Sequence, residues 1–479
     1  MVMYQNGGIY VTIDVKNIIT AKNFCNKGIF VIIVLSIRTS RRNQIMWSYH
    51  SVFYQIYPLG FCGAPFENDG HQEHRILKVI DWIPHMKKLG VDAIYFSPVF
   101  ESDTHGYNTR DYTKIDTRLG TDEDFARVCK SLHENGIKVV LDGVFNHVGR
   151  GFWAFTDVLK NRERSPYVNW FERIDFNGNS SYNDGLWYEG WEGNYDLVKL
   201  NLRNEQVIGH IFSAVRGWVE KFDIDGLRLD VAYCLDKEFL KRLRQFCDGL
   251  KQDFFLVGET LHGDYNQWMN DEMLHSVTNY ECYKGLHSSF NSMNMFEINH
   301  SLLRQFGPEQ WTLYKGKHLL SFVDNHDVTR VASILNNERH LPLIYALAFG
   351  MPGIPCVYYG SEWGLTGRKE EGDPALRPCP KEPQWNELTQ WISSLARAKR
   401  ESKALCYGNF YSVVLTNGQC VFGREVEGEK VFVCINATDQ PFFASFDLGA
   451  STAKDLITGQ ELSLNGGAQL PPYSAYFLR

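Results

Sequence analysis

The sequence predicts an α/β fold, a (β/α)8 TIM barrel with an inserted domain after its third strand and a C-terminal antiparallel β-sandwich. Three observations predict it. Short apolar strand candidates alternate with amphipathic helical stretches, one connection between strands is far too long, and the texture changes to turn-punctuated alternation after Ser402.

The strand candidates number eight: SVFYQIYP from Ser51, DAIYFSP from Asp92, IKVVLDGVF from Ile137, IDGLRLDV from Ile224, FFLVGET from Phe254, HSVTNY from His275, LLSFVDNH from Leu319 and IPCVYYG from Ile354. They are rich in β-branched and aromatic residues and too short for helices. Between them run ILKVIDWIPHMKKLG, DEDFARVCKSLHENG, VIGHIFSAVRGWVEKF and LPLIYALAFGMPG, with apolar residues three and four apart and Gly near the C-terminal ends. Strand–helix alternation of this kind builds a parallel sheet with crossover helices.

Residues 147–222 separate the third and fourth strands, a span rich in Trp, Tyr, Asn and Gly and well beyond an ordinary connection. A functional insertion is expected there. Past Ser402, FYSVVLTNGQCVFGREVEGEKVFVCINATD alternates in the manner of an antiparallel sheet, with Asn417-Gly418 as a hairpin turn and ELTQWISSLARAKRESKAL as the helical join. At the other end, GIFVIIVLSI (Gly28–Ile37) is shorter than the ~20 apolar residues a membrane span needs, and no small-x-small cleavage site follows it. The expected organisation is an N-terminal extension outside the native fold (1–45), barrel (46–146), insertion (147–200), barrel again (201–401) and C-terminal β domain (402–479).

Composition excludes several classes. A formal charge of −7 and a pI near 6.1, with no Lys/Arg-rich stripe, argue against nucleic acid as a partner. Eleven Cys without close pairs or metal-ligand spacing fit reduced thiols in the cytoplasm, neither a disulfide framework nor a zinc site. Aromatics make up 14% of the chain, enough both for a large core and for stacking platforms under a ligand with apolar faces, such as a sugar.

Within DIDGLRLDVAY, Arg228 and Asp230 stand two apart in an apolar run where ionised groups are expensive to bury. Residues i and i+2 of a strand point the same way, and barrel enzymes keep their sites at the C-terminal rim. There the guanidinium is expected to hold Asp230 ionised by lowering its pKa. The plain alternative is a structural ion pair. Glu259 ends FFLVGET and Asp327 ends SFVDNHD, so three carboxylates are expected on one rim, joined by His147 in DGVFNH and His326 in VDNHD. Taken singly each is a cap, turn or packing residue as readily as a site residue. Together they suit glycoside hydrolysis, in which one carboxylate attacks the anomeric carbon and another trades a proton with the leaving oxygen.

These motifs, DGVFNH (142–147), GLRLDVAY (226–233), VGET (257–260) and FVDNHD (322–327), resemble in order those of the α-amylase superfamily, glycoside hydrolase family 13. The resemblance implies that Asp230 is the nucleophile, Glu259 the general acid/base and Asp327 the transition-state stabiliser. It implies that Arg228, His147 and His326 position Asp230 and bind sugar, that Tyr107 in HGYNTRDY stacks on it, and that the insertion is the family's domain B. Asp142 matches as well, with a structural role. Asn108 stands where many relatives have Asp and is expected to hydrogen-bond elsewhere.

LVKLN (197–201) resembles the form found in the neopullulanase, cyclomaltodextrinase and maltogenic amylase group, as does HGDYNQWMNDEMLHSVTNY after Glu259. Asp373 and Arg377 in GDPALR match that group's distal sugar-binding pair, though on a loop they also suit a surface salt bridge. Val231 matches members that accept α-1,6 linkages; a buried Val needs no functional reason. Members often bind calcium with Asn146 and a His four residues after the nucleophile. Cys234 takes that place here, and a neutral thiol is a poor ligand for a hard cation, so no cofactor is expected and that calcium site is expected to be absent or weak. The group carries an extra N-terminal β domain that completes a dimer, whereas residues 1–45 alone precede this barrel, leaving monomer and homodimer open. The expected activity is retaining cleavage of α-1,4 bonds, with some α-1,6 action, in α-glucan oligosaccharides by a cytoplasmic enzyme with no membrane partner. A glycosyltransferase using the same site and a non-catalytic carbohydrate-binding or transporter-accessory protein are the alternatives; the second usually lacks a carboxylate that is present here.

Overall fold

The structure is a computed structural model, and it describes residues 46–479; the expectation for residues 1–45 lies outside them. All eight strand candidates form strands of one parallel sheet: β1 (Phe53–Ile56), β2 (Ala93–Phe96), β3 (Lys138–Gly143), β4 (Gly226–Leu229), β5 (Phe255–Gly258), β6 (Ser276–Val277), β7 (Leu320–Phe322) and β8 (Ile354–Tyr358). They are hydrogen-bonded in the order β6-β5-β4-β3-β2-β1-β8-β7. A parallel bridge between Thr278 and Leu320, with Asn279 N–H donating to Leu320 O at 2.8 Å, brings β6 against β7 and closes the barrel.

Closure explains why these strands are apolar on both faces. Phe53, Ala93, Val140, Phe255, Val257, Leu320, Phe322 and Ile354 fill the interior. Their neighbours Tyr54, Ile94, Val139, Leu141 and Leu256 point outward to the helices. A 3₁₀ turn at Trp47–His50 plugs the lower mouth, with Trp47 stacked on Phe53 at 5.8 Å. The fold of the barrel therefore starts at its plug, and the open end is the one where the strands terminate.

The long connection after β3 builds a small antiparallel sheet from His147–Gly149, Gly190–Trp191 and Asn194–Lys199, in which His147 pairs with Lys199. Glu205–Phe222 is the helix that returns the chain to β4; Asn204 caps it by accepting from the N–H groups of Gln206 and Val207.

Beyond the helix Glu387–Glu401, strands Asn409–Leu415, Gln419–Val426, Glu429–Asn436 and Ser474–Leu478 form an antiparallel sheet with the predicted turn at Asn417-Gly418. One face of it packs Val421, Phe432, Cys434 and Leu478 against the two-stranded ribbons through Ala444, Phe446 and Leu470. The other face presses Val433 and Phe477 on Gly350, where an added Cβ would sit 2.8 Å from Val433. This is why the helix Leu341–Gly350 is buried almost all round and carries no polar face. No helix among the described residues is long and apolar enough to cross a membrane.

Candidate active site

Strand ends deliver the charged groups to one point. Arg228 lies in β4 in register with Asp142 of β3 and Val257 of β5, Asp230 follows β4 directly, and Glu259 follows β5. The Arg228 guanidinium is buried and donates three ways. Nη1 bonds Asp230 Oδ1 at 2.9 Å and Asp142 Oδ2 at 2.9 Å, and Nη2 lies 2.9 Å from Glu259 Oε2. Glu259 Oε2 also accepts from Val231 N–H at 3.0 Å. That oxygen is thus committed twice, and no described residue donates to Oε1. Any proton on Glu259 therefore belongs on Oε1.

One cation among three buried carboxylates does not do what the sequence led us to expect of Arg228. Burial lifts Asp230 well above the usual carboxylate range; Arg228 opposes this, but Glu259, Asp142 and Asp327 add to it. Asp142 is raised to about 6, again by burial first and against the pull of Arg228. The expected lowering of Asp230 fails because burial, with the neighbouring carboxylates, outweighs the pull of the guanidinium. Asp230 and Asp142 are both raised and titrate as a pair.

Val231 adopts φ +39°, ψ +48°, a region a β-branched residue rarely enters. This conformation turns its N–H toward Glu259. The backbone at position 231, and not the Val side chain, therefore serves the site.

Both predicted histidines reach the rim as neutral rings, since burial lowers each to about 3. Gln55 Nε2 donates to His326 Nδ1 at 2.8 Å, so the ring proton sits on Nε2, facing Tyr107 Oη and, at 3.0 Å, Asp327 Oδ2. Asn146 Nδ2 donates to His147 Nδ1 at 3.1 Å, which likewise puts the proton on Nε2. That buried Nε2 has no hydrogen-bond partner and lies 3.8 Å from Asp230 Oδ2, an N–H aimed at whatever occupies the cleft. Tyr107 lies parallel to the His326 ring at 5.6 Å and donates to Asp142 Oδ2 at 3.2 Å. Asn108 bonds away from the site, to Thr104.

Asp327 is more open than Asp230, Glu259 and Asp142, with 35% of its side chain exposed. Burial pushes it up, yet His326 and Arg377 outweigh this and it lies below the usual carboxylate range. Arg377 reaches Asp327 Oδ1 and Asp373 Oδ2, both at 2.9 Å, and donates from Nε to His326 O at 3.1 Å. Asp373 and Arg377 are thus wired to the centre instead of forming an isolated surface pair.

All of these carboxylates except Asp142 border one cavity of about 550 Å³, together with Tyr107, His147 and Arg377. Sequence reading missed Tyr280, whose hydroxyl accepts from Asn325 Nδ2 at 3.0 Å, and Trp191 of the insertion, which also faces the cavity. Tyr280 had a usable signal, an aromatic just past the end of a barrel strand. Gln55 and Tyr95, the latter donating to Asp142 Oδ2 at 3.1 Å, looked like ordinary strand residues.

Residues 55–404 match the family description "Alpha amylase, catalytic domain". The chain is 29% identical over 470 residues to a cyclomaltodextrinase of Thermoanaerobacter pseudethanolicus (90% of this chain, 78% of the relative) and 30% identical over 469 residues to neopullulanase 2 of Thermoactinomyces vulgaris (90% and 78%). Among solved structures, the cyclic alpha-maltosyl-(1→6)-maltose hydrolase of Arthrobacter globiformis superposes with a TM-score of 0.76 at 26% identity, covering 90% of this chain and 98% of that one. The Nostoc punctiforme debranching enzyme gives 0.73 at 27%, with the same coverage. With a barrel of this closure and a carboxylate cluster at its mouth, the chain belongs to the α-amylase family of glycoside hydrolases.

Proposed function

We propose that the protein is a retaining α-glucan hydrolase that cleaves α-1,4 bonds, with some α-1,6 action, in maltodextrins, pullulan or cyclodextrins. The observation that carries this reading is the clasp of Asp230 and Glu259 by two nitrogens of one guanidinium. Two carboxylates gathered on one guanidinium suit the retaining arrangement, in which one attacks and the other trades the proton.

In this reading Glu259 delivers a proton from Oε1 to the glycosidic oxygen while Oε2 stays held by Arg228 and Val231 N–H. Asp230 Oδ1 is fixed by Arg228, and Oδ2 attacks the anomeric carbon to give a β-linked glucosyl-enzyme. Glu259 then takes a proton from water, which displaces Asp230 and restores the α configuration. His147 Nε2–H donates to a hydroxyl of the same sugar, and Asp327 steadies the charge that develops on its ring. Relatives named for cyclomaltodextrin and pullulan support the substrate class, and the free thiols of all ten described cysteines support a cytoplasmic site of action.

Proton NMR of fresh maltodextrin digests tests the mechanism: the α anomer appears first. An initial β anomer, or no cleavage of maltodextrin, pullulan or cyclodextrin, overturns it. Products longer than a maltotriose substrate at high concentration would favour the transferase instead.

A calcium ion held by Asn146 is not part of this reading. The Asn146 side-chain NH2 donates to His147, its backbone carbonyl accepts Leu200 N–H at 2.9 Å, and burial raises the Cys234 thiol, which stays neutral and is a poor calcium ligand. Activity is expected to survive exhaustive chelation.

The acid limb of the kcat/KM profile is expected above the ordinary carboxylate range, because Asp230 must ionise to attack and burial raises it. Asp142→Asn removes a neighbouring negative charge and leaves more of Arg228 to Asp230. Both effects lower the Asp230 pKa, so the limb moves to lower pH in the variant. A limb that stays put, in a variant with an unchanged melting temperature, would refute this account of the cluster.

A further inference from the structure

The cleft has a neighbour. A second hollow of about 430 Å³ shares Leu261 and Tyr280 with the catalytic cavity and continues outward over two helices, Tyr280–Asn291 and Met295–Phe306. Its volume lies in the range of small-molecule sites. We propose that this hollow binds the leaving-side end of a glucan chain, beyond the sugar that departs from Glu259. The inference rests on the function proposed above.

Direction follows from chemistry. The proton donor faces the leaving oxygen, so the departing chain lies on the side of Glu259. The segment that follows Glu259 carries Leu261, His262 and Gly263, which form the saddle and the near wall of the hollow. Leu261 is 38% exposed, an apolar surface at the saddle where a sugar face can rest. Tyr280 stands on the other side of the saddle, with its ring edge-on to Phe322 at 4.9 Å.

The far wall is rigid and polar. Arg304 and Glu281 bond each other, Nε to Oε1 at 3.1 Å, and so tie the two helices together. Gly285 lets the helices approach: an added Cβ would stand 3.2 Å from Ile298. On this frame Lys284 and Glu297 border the hollow, and neither forms a salt bridge with a described residue. A donor head and an acceptor head without partners, at the edge of a groove continuous with the cleft, suit the hydroxyls of a neutral polyol. An anionic ligand would meet Glu281 and Glu297 in the same hollow.

The test compares kcat/KM on maltotriose, which is too short to cross the saddle and fill the hollow, with kcat/KM on maltoheptaose. The proteins are the wild type, Lys284→Ala and Glu297→Ala. Lys284 is exposed and Glu297 half-buried, so circular dichroism melts check that each variant folds as the wild type does. The wild type is expected to prefer the longer substrate. Each variant is expected to lose about tenfold to a hundredfold on maltoheptaose, the effect of one hydrogen bond to a charged group, and to match the wild type on maltotriose. Equal losses on both substrates, or unchanged kcat/KM on maltoheptaose in both variants, would overturn the proposal while leaving the hydrolase reading intact. A wild type inactive on both sugars would strike the hydrolase reading itself.

Discussion

Asp230→Asn is expected to lose about four orders of magnitude in kcat/KM on maltodextrin, because the amide cannot attack the anomeric carbon. The same variant is expected to melt no lower than the wild type, and higher at neutral pH. Asp230 is raised in the folded state, so its ionised form is penalised there relative to the unfolded chain. Stability from this group is fully present at acidic pH and is lost as the pH rises past the unfolded carboxylate value. Asn mimics the protonated form at every pH, keeps an oxygen for Arg228 Nη1, and relieves the repulsion from Glu259 and Asp142. Thermal melts at pH 4 and pH 8 check this: the gain over the wild type should grow with pH. The opposition of activity and stability at one atom distinguishes a strained catalytic carboxylate from a structural one. A variant that keeps wild-type turnover removes Asp230 from the chemistry. A variant that unfolds at pH 8 shows that its negative charge supports the fold.

Much of this was legible in the chain. The eight strands were, because a closed parallel barrel demands apolar residues on both faces, and only short runs such as Lys138–Gly143 supply them. Asp230, Glu259 and Asp327 were, because an ionisable group ending such a run has only the mouth to face. Other features lay in three-dimensional relations that no local pattern encodes. The raised pKa of Asp230 comes from burial and from the neighbouring carboxylates Glu259 and Asp142, an arrangement that takes three strands in register. The left-handed backbone of Val231 contradicts its own residue type and arises where the chain turns to aim an N–H at Glu259. Gln55 sets the His326 proton from the first strand, far from it in sequence. Arg377 read equally as half of a sugar-binding pair and as half of a loop salt bridge, and only the loop's path puts it on Asp327.

Arg228 is the residue whose loss is expected to harm the fold most. The residue is 3% exposed, and its guanidinium is the cation that Asp142, Asp230 and Glu259 share. Arg228→Met fills the space but leaves these carboxylates without that partner, at a cost of about 3–5 kcal/mol. Denaturant melts at pH 7 measure it. The cost is expected to shrink toward acidic pH: without the cation, the folded carboxylates bind protons more tightly than the unfolded chain does, so the variant gains stability relative to the wild type as the pH falls. Arg228→Lys separates charge from geometry. An ammonium is a single point and cannot place one nitrogen between Asp142 and Asp230 and a second on Glu259 Oε2, as the planar fork does. Lys is therefore expected to recover part of the stability and almost none of the kcat/KM. Recovery of both would mean that positive charge alone suffices, and the fork geometry, on which the assignment of the proton to Glu259 Oε1 depends, would have to be given up.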